Sequence, residues 1–304
     1  MKKLVSIIIP TYNRKEEIVE CLNSVYNLNY ANFEVIVVDN GSEDGTIDVL
    51  KNNYPSAKLI ELKENLGAVG GRNIGIKIAK GDYLLFVDSD NLIDANALKE
   101  LVNFAETDEM IGFIGPKMYY YSDSNRIWYA GVKISLLTSK TRYIGINEID
   151  RGQYDQIREV EHIPNVWLVK REVIKKIGGL DPVYVMTYGE ADWPMRAKKE
   201  GFKIMFCPKA KVWHKIPLPK DQKGLRARIG FDNSFRVYYI ARNRTLFMKR
   251  FAPRINFVVY VLFLMHFFIM YYLIVLIRFG RFDLIIPLMK GSVDGVKVSV
   301  SGKI

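Results

Sequence analysis

Two hydrophobic periods alternate along the first third of the chain. Continuous apolar runs of strand length occupy 5–10 (VSIIIP), 33–40 (FEVIVVDN), 57–62 (AKLIEL), 83–87 (YLLFV) and 110–115 (MIGFIG). Between them, 16–26, 46–53, 70–80 and 94–105 carry apolar residues at helical spacing. Runs this apolar suit strands buried on both faces. Their alternation with amphipathic helices predicts an α/β fold with a central, mostly parallel sheet. In such sheets a ligand sits beyond the carboxyl ends of the strands. Those ends read Pro10-Thr11-Tyr12, Asp39-Asn40 and Asp88-Ser89-Asp90, all polar or turn-forming and expected to meet on one rim.

Residues 116–164 are tyrosine-rich and irregularly patterned, which predicts a mixed or antiparallel section. Helices are expected over 171–179, closed by glycines, and over 189–201, where Pro194 limits the start. A late strand is expected at 203–208. Then 257–277, FVVYVLFLMHFFIMYYLIVLI, runs without a formal charge. As a helix it would be about 31 Å long, the thickness of a bilayer's hydrocarbon core. A soluble core helix of that length normally shows a polar stripe, and this run offers only His266 and some tyrosines. A membrane segment is expected, either crossing the bilayer or lying in its surface, since LIIPLM follows after 281. The expected organisation is a globular domain over 1–223, a basic amphipathic juxtamembrane helix over 224–256, and a membrane-associated segment and tail over 257–304.

Charge sharpens this picture. Lys209 to Arg254 holds thirteen Lys and Arg against two acids, so this one segment accounts for the whole formal charge of +11. Such a stretch suits nucleic acid, anionic lipid or a phosphorylated ligand. The adjoining apolar run and the lack of a nucleic-acid module favour lipid, and no nucleic-acid partner is expected. The longer basic run keeps the globular domain on the cytoplasmic face. Met1-Lys2-Lys3 leads into an apolar run too short for a signal peptide. Cys21 and Cys207 lack metal-type spacing and are read as reduced thiols.

The acids at 88 and 90 raise a chemical question, because two like charges so close repel unless a cation or a proton sits between them. They either cap a helix starting near Asp94 or hold a divalent metal and phosphates. Asp39 either caps the turn DNGSEDG or receives a ligand. Arg72 lies in GAVGGRN at an expected helix start, where backbone N–H groups and a guanidinium favour anions.

Six stretches together resemble the family 2 glycosyltransferases, nearest to their rhamnosyltransferase-like members: VSIIIPTYNR, VVDNGSEDGT, ENLGAVGGRNIGI, GDYLLFVDSD, GGLDPVYVMTYGEADWPMRAKKEGF and VWH. The resemblance covers about residues 4–250 in the family's order and spacing. It implies a GT-A type nucleotide-sugar-binding domain, with 1–120 as the nucleotide-binding half and 121–223 as the acceptor and catalytic half. It further implies a divalent Mn²⁺ or Mg²⁺ and sugar transfer with inversion; the basic segment just before the apolar run points to an acceptor held at the bilayer, a glycan or lipid-linked one such as a polyprenyl-linked saccharide. By the family's pattern Asp90 and His214 ligate the metal, and Asp88 with Ser89 faces the nucleotide-sugar. Asp39 accepts from the base, whose pocket Pro10, Thr11 and Tyr12 wall, and Arg72 lies by the donor. Alignment on Arg196 puts the catalytic base on Glu190, with Asp192 as the alternative; both could instead be helix-start acids stabilised by the dipole. Gly189 replaces the motif's usual first acid, which leaves open a tethered protein that binds donor without turnover. Trp167 and Trp193 are candidates for the pocket wall, or simply core.

Overall fold

The computed structural model describes residues 2–218 and 224–301; the domain boundary expected at 223 and the end of the tail lie outside them. The chain divides into two compact units. One comprises Met1–Lys133, Tyr143–Val185 and Glu190–Ile216, the other Ile134–Arg142, Met186–Gly189 and Pro217–Ile304.

The first unit begins as its hydrophobic periods predict. β1 (Val5–Thr11), α1 (Lys15–Tyr26), β2 (Phe33–Asp39), α2 (Thr46–Asn53), β3 (Lys58–Glu61), α3 (Gly67–Ile78) and β4 (Tyr83–Val87) follow in turn. Next come β5 (Asn91–Ile93), α4 (Ala97–Ala105), β6 (Ile111–Tyr120) and β7 (Asp123–Tyr129); the separate ribbon of β8 (Val132–Ile134) and β9 (Thr141–Tyr143) brackets Ile134–Arg142, which belongs to the second unit. β10 (Arg158–Glu159), β11 (Val166–Lys170), α5 (Arg171–Ile177), α6 (Gly189–Lys199) and β12 (Lys203–His214) complete the sheet and its covering helices. The main sheet runs β10-β12-β6-β11-β4-β1-β2-β3, with β5 on β12 and β7 on β6. β1–β4, β6 and β12 run parallel, while β11 is inserted antiparallel between β4 and β6. Every residue of β1 and β4 is buried, as strands covered on both faces require.

Two local devices shape the rim. Along β12 the pairing slips from Cys207 opposite Pro116 to Lys211 opposite Lys117. Pro116 and Pro208 each lack an N–H, so the ladder cannot run through and a bulge absorbs the extra residues. Beyond it β12 continues past the strand end expected at 208, and His214 lands opposite Asn91. The other device is the glycine run of α3. A Cβ on Gly71 would lie 3.1 Å from Asn40 Nδ2 and 3.2 Å from Pro10 Cβ, and one on Gly75 would overlap Ile8 Cγ2. The helix therefore beds directly on β1, and it starts three residues before the expected position at 70.

In the second unit α7 (Gly224–Ile229) and α8 (Ser234–Phe251) replace the single basic helix expected over 224–256. α9 (Arg254–Val259) continues through a π turn (Tyr260–Leu264) into α10 (Met265–Arg278), and α11 (Ile285–Val300) follows. Asn233 caps α8 by accepting from the Arg236 N–H at 2.9 Å.

The close bedding of α3 makes a testable demand. Gly75→Ala should lower stability by about 1–2 kcal/mol, overpacking outweighing the better helix propensity of alanine. In an Ile8→Ala background the same change should cost nothing or stabilise, as a double-mutant cycle of urea unfolding midpoints would read.

Candidate active site

The sheet's topology brings its functional ends to one edge. Thr11 pairs with Asp39 at the ends of β1 and β2, Val87 pairs with Val166 where β4 ends and β11 begins, and His214 pairs with Asn91. Asp39 is fully buried; its Oδ1 accepts from the Gly41 and Ser42 N–H groups at 3.0 and 2.7 Å. It thus does cap its turn, with one oxygen only. Its Oδ2, Thr11 Oγ1 and Asn40 Oδ1 are buried with no protein partner. Buried polar atoms are nearly always satisfied, so three orphans at two adjacent strand ends mark a place for a ligand. Pro10 and Thr11 are buried beside them, and Tyr12 is exposed.

Beside this lies a charged cluster. Arg72 is 1% exposed and pairs with Asp88 and, at 2.6 Å, with Glu190; its guanidinium stacks 4.7 Å from the Trp167 ring centroid. It sits in the second turn of α3, not at the helix start, because the glycines that seemed to open the helix serve to press it on β1. Burial pushes the Arg72 guanidinium down, but its two carboxylates outweigh this and hold it above its usual range. Burial raises the Asp88 carboxyl to about 6, with Arg72 opposing and Glu190 and Asp90 adding repulsion. Burial acts on Glu190 in the same sense, yet Arg72 wins and leaves its carboxyl below the usual range.

Asp90 faces His214, with Oδ1 3.5 Å from Nε2. Burial raises the Asp90 carboxyl, and the His214 ring overcomes it to leave a net lowering. Asn165 Nδ2 lies 3.3 Å from the same Nε2, and His214 Nδ1 is buried without a partner. Lys215 N–H donates to the Asp90 carbonyl at 3.0 Å, tying the end of β12 to the acidic loop. Ser89 is buried between the two acids. Among the described residues no group of three His, Cys, Asp or Glu forms a closed metal cage. Asp90 and His214 offer one oxygen and one nitrogen, a pair suited to Mn²⁺ sharing its remaining positions with phosphate and water.

Glu190 and Asp192, the expected base and its alternative, separate in space. Two residues apart on a helix they point about 200° from each other. Glu190 joins Arg72, whereas Asp192 is fully buried and accepts from Arg196 Nε at 2.8 Å. Arg196 in turn donates to the Ile177 and Gly179 carbonyls, so that pair fastens α6 to the end of α5. α6 begins well before Pro194, which lies inside it. Trp193 is core, wedged edge-on against Phe86 and Phe113 with Nε1 donating to the Gly178 carbonyl. His162 and Asn165, both near Glu190 or His214, were not anticipated. Their only sequence signal is HIPN, a polar pair around a proline ahead of an apolar run; Asn165 takes the left-handed φ of 64° that Asn tolerates.

Comparison with known proteins bears on the family and the fold. The family model described as Glycosyl transferase family 2 matches residues 6–178. Poly(ribitol-phosphate) beta-glucosyltransferase of Bacillus spizizenii is 42% identical over 111 residues, 34% of this chain and 18% of that protein. The UDP-Glc:alpha-D-GlcNAc-diphosphoundecaprenol beta-1,3-glucosyltransferase WfaP of Escherichia coli is 38% identical over 120 residues, 39% of this chain and 47% of that protein. The chain thus spans less than half the length of either curated relative. The fold resembles that of mannosyltransferase PcManGT from Pyrobaculum calidifontis, solved with GDP-Man and Mn²⁺, at a TM-score of 0.58 and 18% identity, covering 100% of this chain and 77% of that one.

His162 supplies a pH test. Burial holds its imidazole down at about 4, against an ordinary value near 6.5. The unfolded chain therefore takes up a proton below pH 6.5 that the folded chain refuses, and stability from this group is lost as pH falls toward 4. His162→Gln removes the term, so the variant should gain about 2 kcal/mol relative to wild type between pH 7 and pH 5. Asp88 acts in the opposite sense in both proteins and cancels from the difference. Urea midpoints at the two pH values check this.

Proposed function

The chain belongs to glycosyl transferase family 2, and on that footing we propose that it is an inverting, metal-dependent glycosyltransferase. It moves a sugar from a nucleotide-sugar donor to an acceptor held at the cytoplasmic face of a membrane. The observation that carries this reading is the rim itself: Asp88, Asp90 and Glu190 crowd around one guanidinium and one imidazole beside an orphaned Asp39 oxygen. Three carboxylates against one permanent cation would repel a diphosphate, so the donor requires a divalent ion to enter. Asp90 and His214 would hold that ion. When bound, it neutralises the charge that gathers on the departing diphosphate.

The chain's own residues divide the remaining work. Asp39 Oδ2 is a free acceptor aimed at a donor N–H of the base, with Pro10, Thr11 and Tyr12 as the pocket wall. Asp88 and Ser89 face the sugar-nucleotide. Arg72 orients Asp88 and Glu190 together, fixing the distance between donor site and base. As the acceptor hydroxyl oxygen bonds to the anomeric carbon, the bond from that carbon to the diphosphate oxygen breaks. The hydroxyl proton passes to the Glu190 carboxylate. Arg72 keeps that carboxylate ionised at neutral pH, which makes it a proton acceptor rather than an acid. Asp192 is spent on Arg196 and is unsuited to the role. Because the named acceptor of WfaP is a diphosphoundecaprenol-linked sugar, a lipid diphosphate acceptor is the class we favour here.

Two measurements test the assignments. Glu190→Gln should lower turnover by roughly 10²–10⁴-fold. It should leave nucleoside diphosphate affinity within a few-fold by calorimetry; a collapse of binding would make Glu190 structural. His214→Ala should weaken Mn²⁺-dependent nucleoside diphosphate binding by about tenfold or more, some 1.4 kcal/mol. Metal-free binding should change little. Equal loss with and without Mn²⁺ would remove His214 from the metal.

A further inference from the structure

The helix formed by α9, the π turn and α10 (Arg254–Arg278, 25 residues, mean hydropathy 2.3) is long enough to cross a membrane, and only 11% of its apolar window is buried. Its contacts within the second unit argue against crossing. Asn256 Nδ2 donates to the Leu136 carbonyl at 3.3 Å, and Tyr260 Oη lies 3.4 Å from Thr245 Oγ1. Further along, Arg244 stacks on Phe268 at 4.4 Å and donates to Tyr272 Oη at 2.9 Å, and Lys140 Nζ lies 5.6 Å from the same Phe268 ring. Residues 256, 260, 268 and 272 recur at multiples of four; each step drifts about 40° in an α-helix, and the wider π turn over Tyr260–Leu264 takes back most of that drift, so the four share one broad helix face. Polar contacts run the length of that face. Phe268 is about 21 Å from the Arg254 end and 15 Å from the Arg278 end, so a crossing helix would hold two cations near mid-bilayer. Among the described residues no carboxylate pairs with either cation, and an unpaired charge at that depth is costly.

The flanking helices add a second constraint. A Cβ on Gly291 or Gly295 of α11 would strike the Tyr238 or Arg242 carbonyl of α8, and Tyr238 Oη donates to Asp294 at 3.0 Å. The pairs 238–291 and 242–295 advance together, so α8 and α11 run parallel in close contact. Arg244 and Thr245 of α8 meet α10 and the π turn directly. Driving the apolar helix across a bilayer would draw in α8, with Arg236, Arg242, Arg244, Lys249 and Arg250, and α11, with Lys290, Asp294 and Lys297.

The outer face tells what covers it. Leu262, Phe263, Phe267, Met270, Ile274 and Ile277 are 54–76% exposed, and Ile286 and Val300 of α11 are exposed as well. The segment leading into this helix carries the chain's entire net positive charge. A long apolar ridge joined to basic residues fits the headgroup boundary of an anionic bilayer.

We infer that the second unit is a monotopic anchor: the Arg254–Arg278 helix lies in the membrane plane, its outer face buried in one anionic leaflet and its polar face turned to the protein. The inference rests on the packing of α8 to α11 and stands apart from the reading of the rim. Topology tests it directly. Lys2→Cys and Ser301→Cys, singly in the full chain, are placed in sealed inverted membrane vesicles; native Cys21 and Cys207 are buried and silent. A membrane-impermeant maleimide should treat both positions alike. Labelling of one freely and of the other only after detergent would mean the helix crosses, and would overturn the inference. Separately, Phe267→Asp with Ile274→Asp should cut sedimentation with phosphatidylethanolamine–phosphatidylglycerol vesicles by about tenfold, leaving nucleoside diphosphate affinity unchanged. Wild-type protein that stays soluble without detergent and ignores the vesicles would also overturn it. A dimer in light scattering would then name a second copy as the cover.

Discussion

A buried guanidinium needs partners, and Arg72 finds them on segments far apart in sequence. Removing one partner from a buried pair costs about 3–5 kcal/mol, so α3, the loop after β4 and the start of α6 are held to one arrangement. The constraint reaches downward as well. Arg72 meets Asp88 only because Gly71 and Gly75 let α3 lie against β1, and it stacks on Trp167 only because β11 enters antiparallel beside β4. Packing thus places the cation, and the cation places the acids. With Arg72 taken up by two carboxylates, the rim keeps surplus negative charge at Asp90, facing His214. On the proposed reading, that surplus would recruit a metal and an anionic donor together.

How much of this was legible depended on the distance between signal and residue. Asp88 and Asp90 stood out because apolar run and acids adjoin in sequence, and Asp39 because its turn does. His214 was reachable only through the order of motifs: its place opposite Asn91 depends on a bulge in β12 between Cys207 and Lys211, which no periodicity announces. Arg72 was found for a reason the structure revises, since its glycines serve close packing rather than a helix start. Alignment favours Glu190 over Asp192, but one dimension gives no physical reason for the choice. Helical geometry sends one to Arg72 and the other to Arg196. His162 and Asn165 lie in the irregular middle, where partners come from distant strands and local pattern carries nothing.

The apolar segment shows the same limit from the other side. Its composition and length are those of a spanning helix, and a window average cannot see which face a residue occupies. The stripe of Asn256, Tyr260 and Tyr272 is present in the sequence but too sparse to register as amphipathic. It becomes meaningful only once Thr245, Arg244 and the Leu136 carbonyl are found opposite it.

The turn Met186–Gly189 leads directly into the proposed base. Thr187 and Tyr188 both adopt left-handed φ, 58° and 59°, a conformation costing non-glycine residues about 1–3 kcal/mol each. α8 holds them there. Asn243, fully buried, donates to the Met186 carbonyl at 2.5 Å and sits 3.4 Å from that of Thr187, and Arg244 Nε donates to Tyr188 Oη at 3.2 Å. The next residues along the chain open α6 and bring Glu190 into its first turn. Arg244 therefore stands in two roles, bracing this strained turn through Tyr188 and meeting the apolar helix through Phe268 and Tyr272. A helix lying in the membrane plane keeps that arginine out of hydrocarbon and its hydrogen bonds intact. A crossing helix would set the cost of a buried charge against the same turn.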